Sequence, residues 1–285
     1  MSLAAAPAEI AYRLPWRTDN VMIGGHRSRA HGGIGTFRET VPFSRRPDPQ
    51  RIDLRQSLRD PFGTLHVRLY EQPAAVTVYV LVDLSASMSF RGATAKLPVA
   101  AELAGGLAVF AGKVGDRFGL IGCDGDVRPD CLLPATRRRG LADEVRRLVV
   151  APRTLGRSAE GLAKATPYLV GRRKLVFLIS DFRMTLGQLE RILASLAPND
   201  VVPVMIEDSV EDIRLPTWGL VGLADLESGH RRLVFMRPAL RRAWQHKVAE
   251  RKRRLDALFA RYGRAPIVIR DRLDPERVIE RLLAG

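Results

Sequence analysis

The sequence predicts an α/β fold built on a doubly wound, mostly parallel sheet. Two observations carry this expectation. First, VTVYVLVD (76–83), KLVFLISD (174–181) and VVPVMIED (201–208) are continuous β-branched and apolar runs. Such runs mark strands covered on both faces. Second, helical stretches fall between them, notably LPVAAELAGGLAVFAGKV (97–114) and LGQLERILASLA (186–197). Strands alternating with helices imply parallel pairing through crossovers.

Residues 1–75 show little periodicity. GGHRSRAHGGIGTF (24–37) is Gly-rich and basic, and RRPDPQRIDLRQSLRD (45–60) carries prolines and alternating charges. A short extended segment, TLHVRLYEQ (64–72), follows. This region reads as an N-terminal extension ahead of a main domain over 76–285. Within that domain, the strand at 76–83 leads into the helix at 97–114. DRFGLIGCDGD (116–126) reads as a strand with a turn, and VRPDCLLPA (127–135) as an edge strand that tolerates its proline. GLADEVRRLVV (140–150) and SAEGLAKATPYLVG (158–171) are helical in pattern, although Pro167 interrupts the second.

Beyond residue 210 the rhythm breaks. LVGLADLESGHRRLVFM (220–236) suggests two short strands around a Glu-Ser-Gly turn. The stretch 239–263 is a long helix with one apolar stripe, Leu240, Trp244, Val248, Leu255, Leu258, Phe259 and Tyr262, closed by Gly263. Hairpin and helix together form an insertion at about 211–263. APIVIRD (265–271) is then the last strand and PERVIERLLAG the last helix.

Composition narrows the function classes. Lys and Arg total 46 against 31 Asp and Glu, a formal net charge of +15, so acidic partners are favoured. There are only two cysteines, Cys123 and Cys131, and they form no CxxC pair; a reducing compartment fits. No signal-peptide pattern opens the chain, and no run reaches about 18 uninterrupted apolar residues. A cytoplasmic location is the expectation.

The chemistry gathers at strand ends. In open α/β sheets ligands bind beyond the carboxyl ends of the strands. Asp83 and Asp181 close two of the buried runs, and Ser85 and Ser87 follow the first at alternate positions. If the two strands are neighbours, both carboxylates face one crevice. A further hydroxyl is available from Thr154 or Ser158 in RTLGRSAEGL. Carboxylates with hydroxyls make an all-oxygen site, suited to Mg²⁺, Ca²⁺ or Mn²⁺ and not to zinc. Neutral serines would hold such an ion without cancelling its charge, leaving it attractive to a carboxylate on another molecule.

Asp83-x-Ser85-x-Ser87 after a buried strand resembles the metal-ion-dependent adhesion site (MIDAS) of von Willebrand factor A (vWA) domains. The SDF at 180–182 is similar to the segment that supplies their second aspartate. Upstream, GGHRS (24–28), RRPDPQRIDLRQSLR and LHVRLYEQ resemble the N-terminal block of the DUF58 family, with Leu54 where that family usually has Trp. The resemblance runs from about residue 20 to the end. It implies a vWA, Rossmann-like fold. It also implies a Mg²⁺ site formed by Asp83, Ser85, Ser87, Asp181 and either Ser158 or Thr154. Finally, it implies an adaptor role with a MoxR-type AAA+ ATPase in maturation or metallation of a client protein. One branch of the family is similar to components for methanol dehydrogenase assembly.

Catalytic readings fit less well. A haloacid-dehalogenase phosphatase also starts with a strand ending in Asp, but needs a second acid two residues on, where Ser85 stands. GLAVFAGKV (106–114) has Val114 where a P-loop needs Ser or Thr. No GxSxG surrounds a serine. The expectation is no turnover, with a metal-dependent hydrolase as a remote alternative. A second alternative is nucleic-acid binding by the Arg-rich helix 239–263, through residues such as Arg251 and Arg254. Residues 231–264 hold twelve Lys or Arg against two acids, but few aromatics to stack bases.

Overall fold

The computed structural model describes residues 8–16, 23–90, 92–151, 156, 158–209, 216–224 and 231–284. The chain forms two compact units, one of Arg13–Val76 with Val114–Asp116 and one of the remainder.

In the smaller unit, strand β1 (Ile23–Pro42) pairs antiparallel with β2 (His66–Ala74). Four register shifts interrupt the ladder, so its residues never settle into the alternation that marks a strand in sequence. A short helix, α1 (Leu54–Ser57), lies between them. Asp53 caps it by accepting from Gln56 N at 3.1 Å, and also holds Arg68 Nε at 2.7 Å. His26 Nε2 lies 2.7 Å from Asp116 Oδ2, whose other oxygen accepts Val76 N at 2.8 Å.

The larger unit is mixed α/β. Its elements run β3 (Thr77–Asp83), α2 (Lys96–Val114), β4 (Arg117–Cys123), β5 (Val127–Thr136), α3 (Ala142–Val150) and α4 (Gly161–Lys164). Then come β6 (Leu175–Ser180), α5 (Leu186–Leu196), β7 (Asp200–Glu207), β8 (Gly219–Ala224), β9 (Arg231–Met236), α6 (Pro238–Arg261), β10 (Ile267–Arg270) and α7 (Pro275–Ala284). Six strands make one sheet in the order β10-β7-β6-β3-β4-β5. All neighbours are parallel except β4 and β5. β8 and β9 form a separate antiparallel hairpin.

The apolar runs are buried because both sheet faces are covered. Val78 to Asp83 are all buried, as are Leu175 to Ser180. On one face Tyr79, Leu81, Val176 and Leu178 share a cluster with Leu162 of α4, Leu189 and Ile192 of α5, and Phe259 of α6. On the other face Tyr12 packs edge-on to both Phe177 of β6 and Phe110 of α2, at 5.9 and 4.7 Å between ring centroids. By length and composition α2 could cross a membrane, with mean hydropathy 1.4, but 56% of that window is buried within the chain.

One expected helix is broken. The stretch 158–171 becomes α4 and then a 3₁₀ turn over Thr166–Leu169, because Pro167 lacks the N–H a continuing helix needs.

Tyr79 also sets a steric limit at the sheet centre. Its hydroxyl accepts Ala135 N at 3.3 Å, and its ring crosses Gly119, where a methyl group would come within 2.3 Å of Cε1. Gly119→Ala is therefore expected to cost about 1–3 kcal/mol by overpacking, read as a lowered urea midpoint. Adding Tyr79→Leu should recover part of that loss; strictly additive effects would contradict the contact.

Candidate metal centre

The two strands that end in acids are neighbours. β3 pairs with β6 in parallel, with Val82 opposite Ile179. From β3 the chain winds to β4 on one side; from β6 it winds to β7 on the other. Where winding reverses, crossover connections leave in opposite directions and the strand ends face a crevice. Asp83 leaves β3 at this point, and Ser180 and Asp181 leave β6.

The loop after β3 curls at once. Ser85 N donates to Asp83 Oδ1 at 2.8 Å, an Asx-type turn, and Ala86–Ser89 forms a 3₁₀ turn. The curl brings hydroxyls at alternate positions together: Ser85 Oγ and Ser87 Oγ are 3.2 Å apart. Ser87 Oγ donates to Asp181 Oδ1 at 3.1 Å. Asp83, Ser85, Ser87 and Asp181 thus form one connected and buried set.

Three further groups join them. Ser180 Oγ donates to Asp83 Oδ2 at 2.5 Å and accepts Phe182 N at 2.9 Å. Lys96, the first residue of α2, is wholly buried; its Nζ lies 2.6 Å from Asp181 Oδ2 and 3.2 Å from Ser87 O. Asp208, just past β7, accepts the backbone N–H groups of Gly92, Ala93 and Thr94 at 3.0–3.1 Å. That carboxylate fixes the loop leading into Lys96.

The third loop is only partly described. Gly156 bridges Ser85 and accepts Ala86 N at 2.8 Å. A methyl group at Gly156 would meet Asp124 Cβ at 2.6 Å, so the approach requires glycine. Thr154 lies outside the described residues. The Ser158 hydroxyl is turned to Glu160 N at 3.1 Å and Gln188 Nε2 at 3.5 Å, not to the four-residue set.

The arginines singled out in the long helix have partners within the chain. Arg251 donates to the carbonyls of Phe182 and Met184 at 2.9 and 2.7 Å. Arg254 pairs with Glu250 one turn back at 2.5 Å. Arg251 therefore holds the loop that follows Asp181. Phe182 in that loop is left-handed, with φ of 50°, and packs edge-on to Phe259 at 5.0 Å. A non-glycine residue in this conformation costs on the order of 1 kcal/mol. Its burial and the Arg251 bonds retain it.

Burial dominates the electrostatics. The Asp83 carboxyl is pushed up to about 6, first by desolvation and then by the charge of Asp181; the Ser180 and Ser85 hydrogen bonds act in the opposite direction. Cys123, opposite Asp83 in the β3–β4 register, is wholly buried, and burial raises its thiol far above the usual range. That places it in the core.

Sequence reading overlooked Ser180, Lys96, Asp208 and the anchoring role of Arg251. Asp208 carried a visible signal as a third acid ending a buried run. Lys96 carried only a faint one, a lone lysine opening an apolar helix.

This α/β chain belongs to the DUF58 family: the model described as "Protein of unknown function DUF58" matches residues 47–254. Among its relatives is a Paracoccus denitrificans protein described as "Uncharacterized protein in moxR 3'region", 37% identical over 97 residues. That match covers 34% of this chain and 92% of the relative. Uncharacterized protein Rv1480 of Mycobacterium tuberculosis is 27% identical over 244 residues, 84% of this chain and 75% of the relative. Among solved structures, BatB from Bacteroides thetaiotaomicron is 14% identical, with a TM-score of 0.44 over 73% of this chain and 97% of that one.

The raised Asp83 carboxyl has a signed consequence. Its folded value lies above the unfolded value near 4, so its contribution to stability is full below about pH 4 and lost as pH rises through about 6. In EDTA, the urea midpoint of wild type relative to Asp83→Asn is expected to rise as pH falls from 7.5 to 5. A pH-independent difference would contradict the burial argument.

Proposed function

We propose that this chain is a non-catalytic, metal-dependent protein-interaction module of the vWA type, with Mg²⁺ or a related ion at a MIDAS and a carboxylate from a partner completing the shell. One observation carries the reading: Ser85 Oγ, Ser87 Oγ and Asp181 Oδ1 converge at successive spacings of 3.2 and 3.1 Å at the strand-end crevice. Oxygens sharing an edge of an octahedron with bonds of 2.0–2.1 Å lie about 3.0 Å apart. The donors present therefore fit a small, hard cation with little movement. Bound there, the ion would supply a positive centre with a position open to a partner's Asp or Glu.

The chain's own residues divide the work. Ser85 and Ser87 offer neutral oxygens by rotating their hydroxyl hydrogens away. Asp181 presents Oδ1 while Lys96 and Arg183 N hold the carboxylate in place, the latter at 3.1 Å. Asp83 stands behind the serines, oriented by Ser180 and Ser85 N. This arrangement supports binding more than turnover, because both carboxylates are already engaged by donors and neither is poised to take a substrate proton.

The partner in this reading is a MoxR-type AAA+ ATPase, acting with this chain on a client protein that presents an acidic residue, in the cytoplasm. The description of the Paracoccus relative, which places it beside moxR, supports the pairing. The buried free thiols Cys123 and Cys131 are in keeping with a reducing compartment.

Calorimetry with Mg²⁺ and Mn²⁺ tests the site. Wild type should bind, and Asp83→Ala and Ser87→Ala should each weaken binding at least tenfold. Equal binding by all three would remove the metal-site reading. Recovery of a purified MoxR-type ATPase on immobilised chain should depend on Asp83 and on the metal; recovery indifferent to both would remove the adaptor reading.

A further inference from the structure

Lys96 is among the largest fully buried side chains of the described residues, and its ammonium group ends inside the proposed metal centre. A buried ammonium is costly to desolvate unless it is paired. Among the described residues it lies 2.6 Å from one oxygen of Asp181, donates to Ser87 O at 3.2 Å and lies 5.7 Å from the centroid of the Phe90 ring. Asp181 is thereby divided. Oδ2 is given to the lysine, and Oδ1 faces Ser87 and Arg183 N.

We infer that Lys96 is a built-in counter-ion that sets the charge of this centre, and with it both its metal affinity and its attraction for a carboxylate. The inference rests on the metal-site reading above. Counted over these three described side chains alone, Asp83 and Asp181 contribute −2 and Lys96 +1, leaving −1. A divalent ion raises this to +1. The loaded centre thus stays electropositive although two acids lie in it. Without the lysine the same count would end at zero, and a partner's carboxylate would meet a neutral site. The cost of this design is repulsion between the ammonium and the ion across a buried, weakly screened space. Lys96 therefore trades tight metal binding for residual positive charge. It also holds Asp181 in position before the ion arrives, so the donor set is preformed.

Two variants of the full chain test this. Lys96→Met keeps length and bulk and removes the charge. Lys96→Gln removes the charge but keeps a hydrogen-bond donor toward Asp181 and Ser87, and serves if the methionine variant does not fold. Lys96→Arg retains the charge. Mn²⁺ and Mg²⁺ affinities are measured by calorimetry at fixed ionic strength, with melting temperature recorded in EDTA and in excess metal. The neutral variants are expected to bind Mn²⁺ at least tenfold more tightly than wild type and to gain more melting temperature from metal, while Lys96→Arg stays near wild type. A purely structural lysine predicts otherwise: metal affinity in folded neutral variants equal to or weaker than wild type, which would overturn the inference while leaving the metal site standing. If wild type and the neutral variants all fail to bind either ion, the metal-site reading falls and the inference with it.

Discussion

Placing two carboxylates side by side under cover is the constraint on which the rest of this site depends. A buried, unpaired carboxylate is destabilising by several kcal/mol. β3 and β6 must be parallel neighbours for the crevice to exist, and that pairing delivers Asp83 and Asp181 together. The chain compensates each acid with donors from different segments. Asp83 receives Ser85 N and the Ser180 hydroxyl; Asp181 receives the Ser87 hydroxyl, Arg183 N and the Lys96 ammonium. Small hydroxyl residues suit the strand ends because they donate without filling the crevice. Only a long cation could reach Asp181 from the start of α2. The loop before it is short of regular structure, so Asp208 substitutes by gathering three of its amide groups.

The same constraint reaches into the long helix. The loop leaving Asp181 turns through a left-handed Phe182, which would relax if its surroundings allowed. Phe182 is almost wholly buried against Phe259, and Arg251 binds the carbonyls on either side of Arg183. The C-terminal half of α6 thus has a packing duty toward the site. Its N-terminal half does not share it: Leu240, Trp244 and Val248 are each more than 40% exposed, whereas Leu255 and Phe259 are buried. The stripe that reads as uniform in sequence is used over only part of its length.

Central strands were legible because burial on both faces leaves no polar position, and VTVYVLVD and KLVFLIS carry that mark without ambiguity. The closeness of the serine pair was legible because alternate positions in a loop that curls after a strand end bring their hydroxyls together. Lys96 was not, since a lone lysine opening an apolar helix is only a faint sign of burial. Its role exists only once α2 is laid against the β6 end. β1 escaped notice for a different reason. Its register shifts remove the period of two on which strand recognition rests. Pro167 gave a correct warning about its helix; the Ser158 hydroxyl accepts Glu160 N within its own turn, a contact its sequence position alone did not reveal.

Charge and exposure together bear on the kind of partner. The chain is strongly basic, and twelve of its cations fall between residues 231 and 264. Basicity alone would suit a phosphate backbone as well as an acidic protein. The hairpin beside that helix in sequence adds an exposed apolar face. Leu220 and Phe235 lie opposite each other across β8 and β9, Leu233 is two residues away, and Trp218 packs edge-on to Phe235. All four are more than half exposed. An exposed aliphatic and aromatic face of this kind gains from being covered by apolar side chains. The metal centre proposed above, once loaded, would ask for an acidic partner as well.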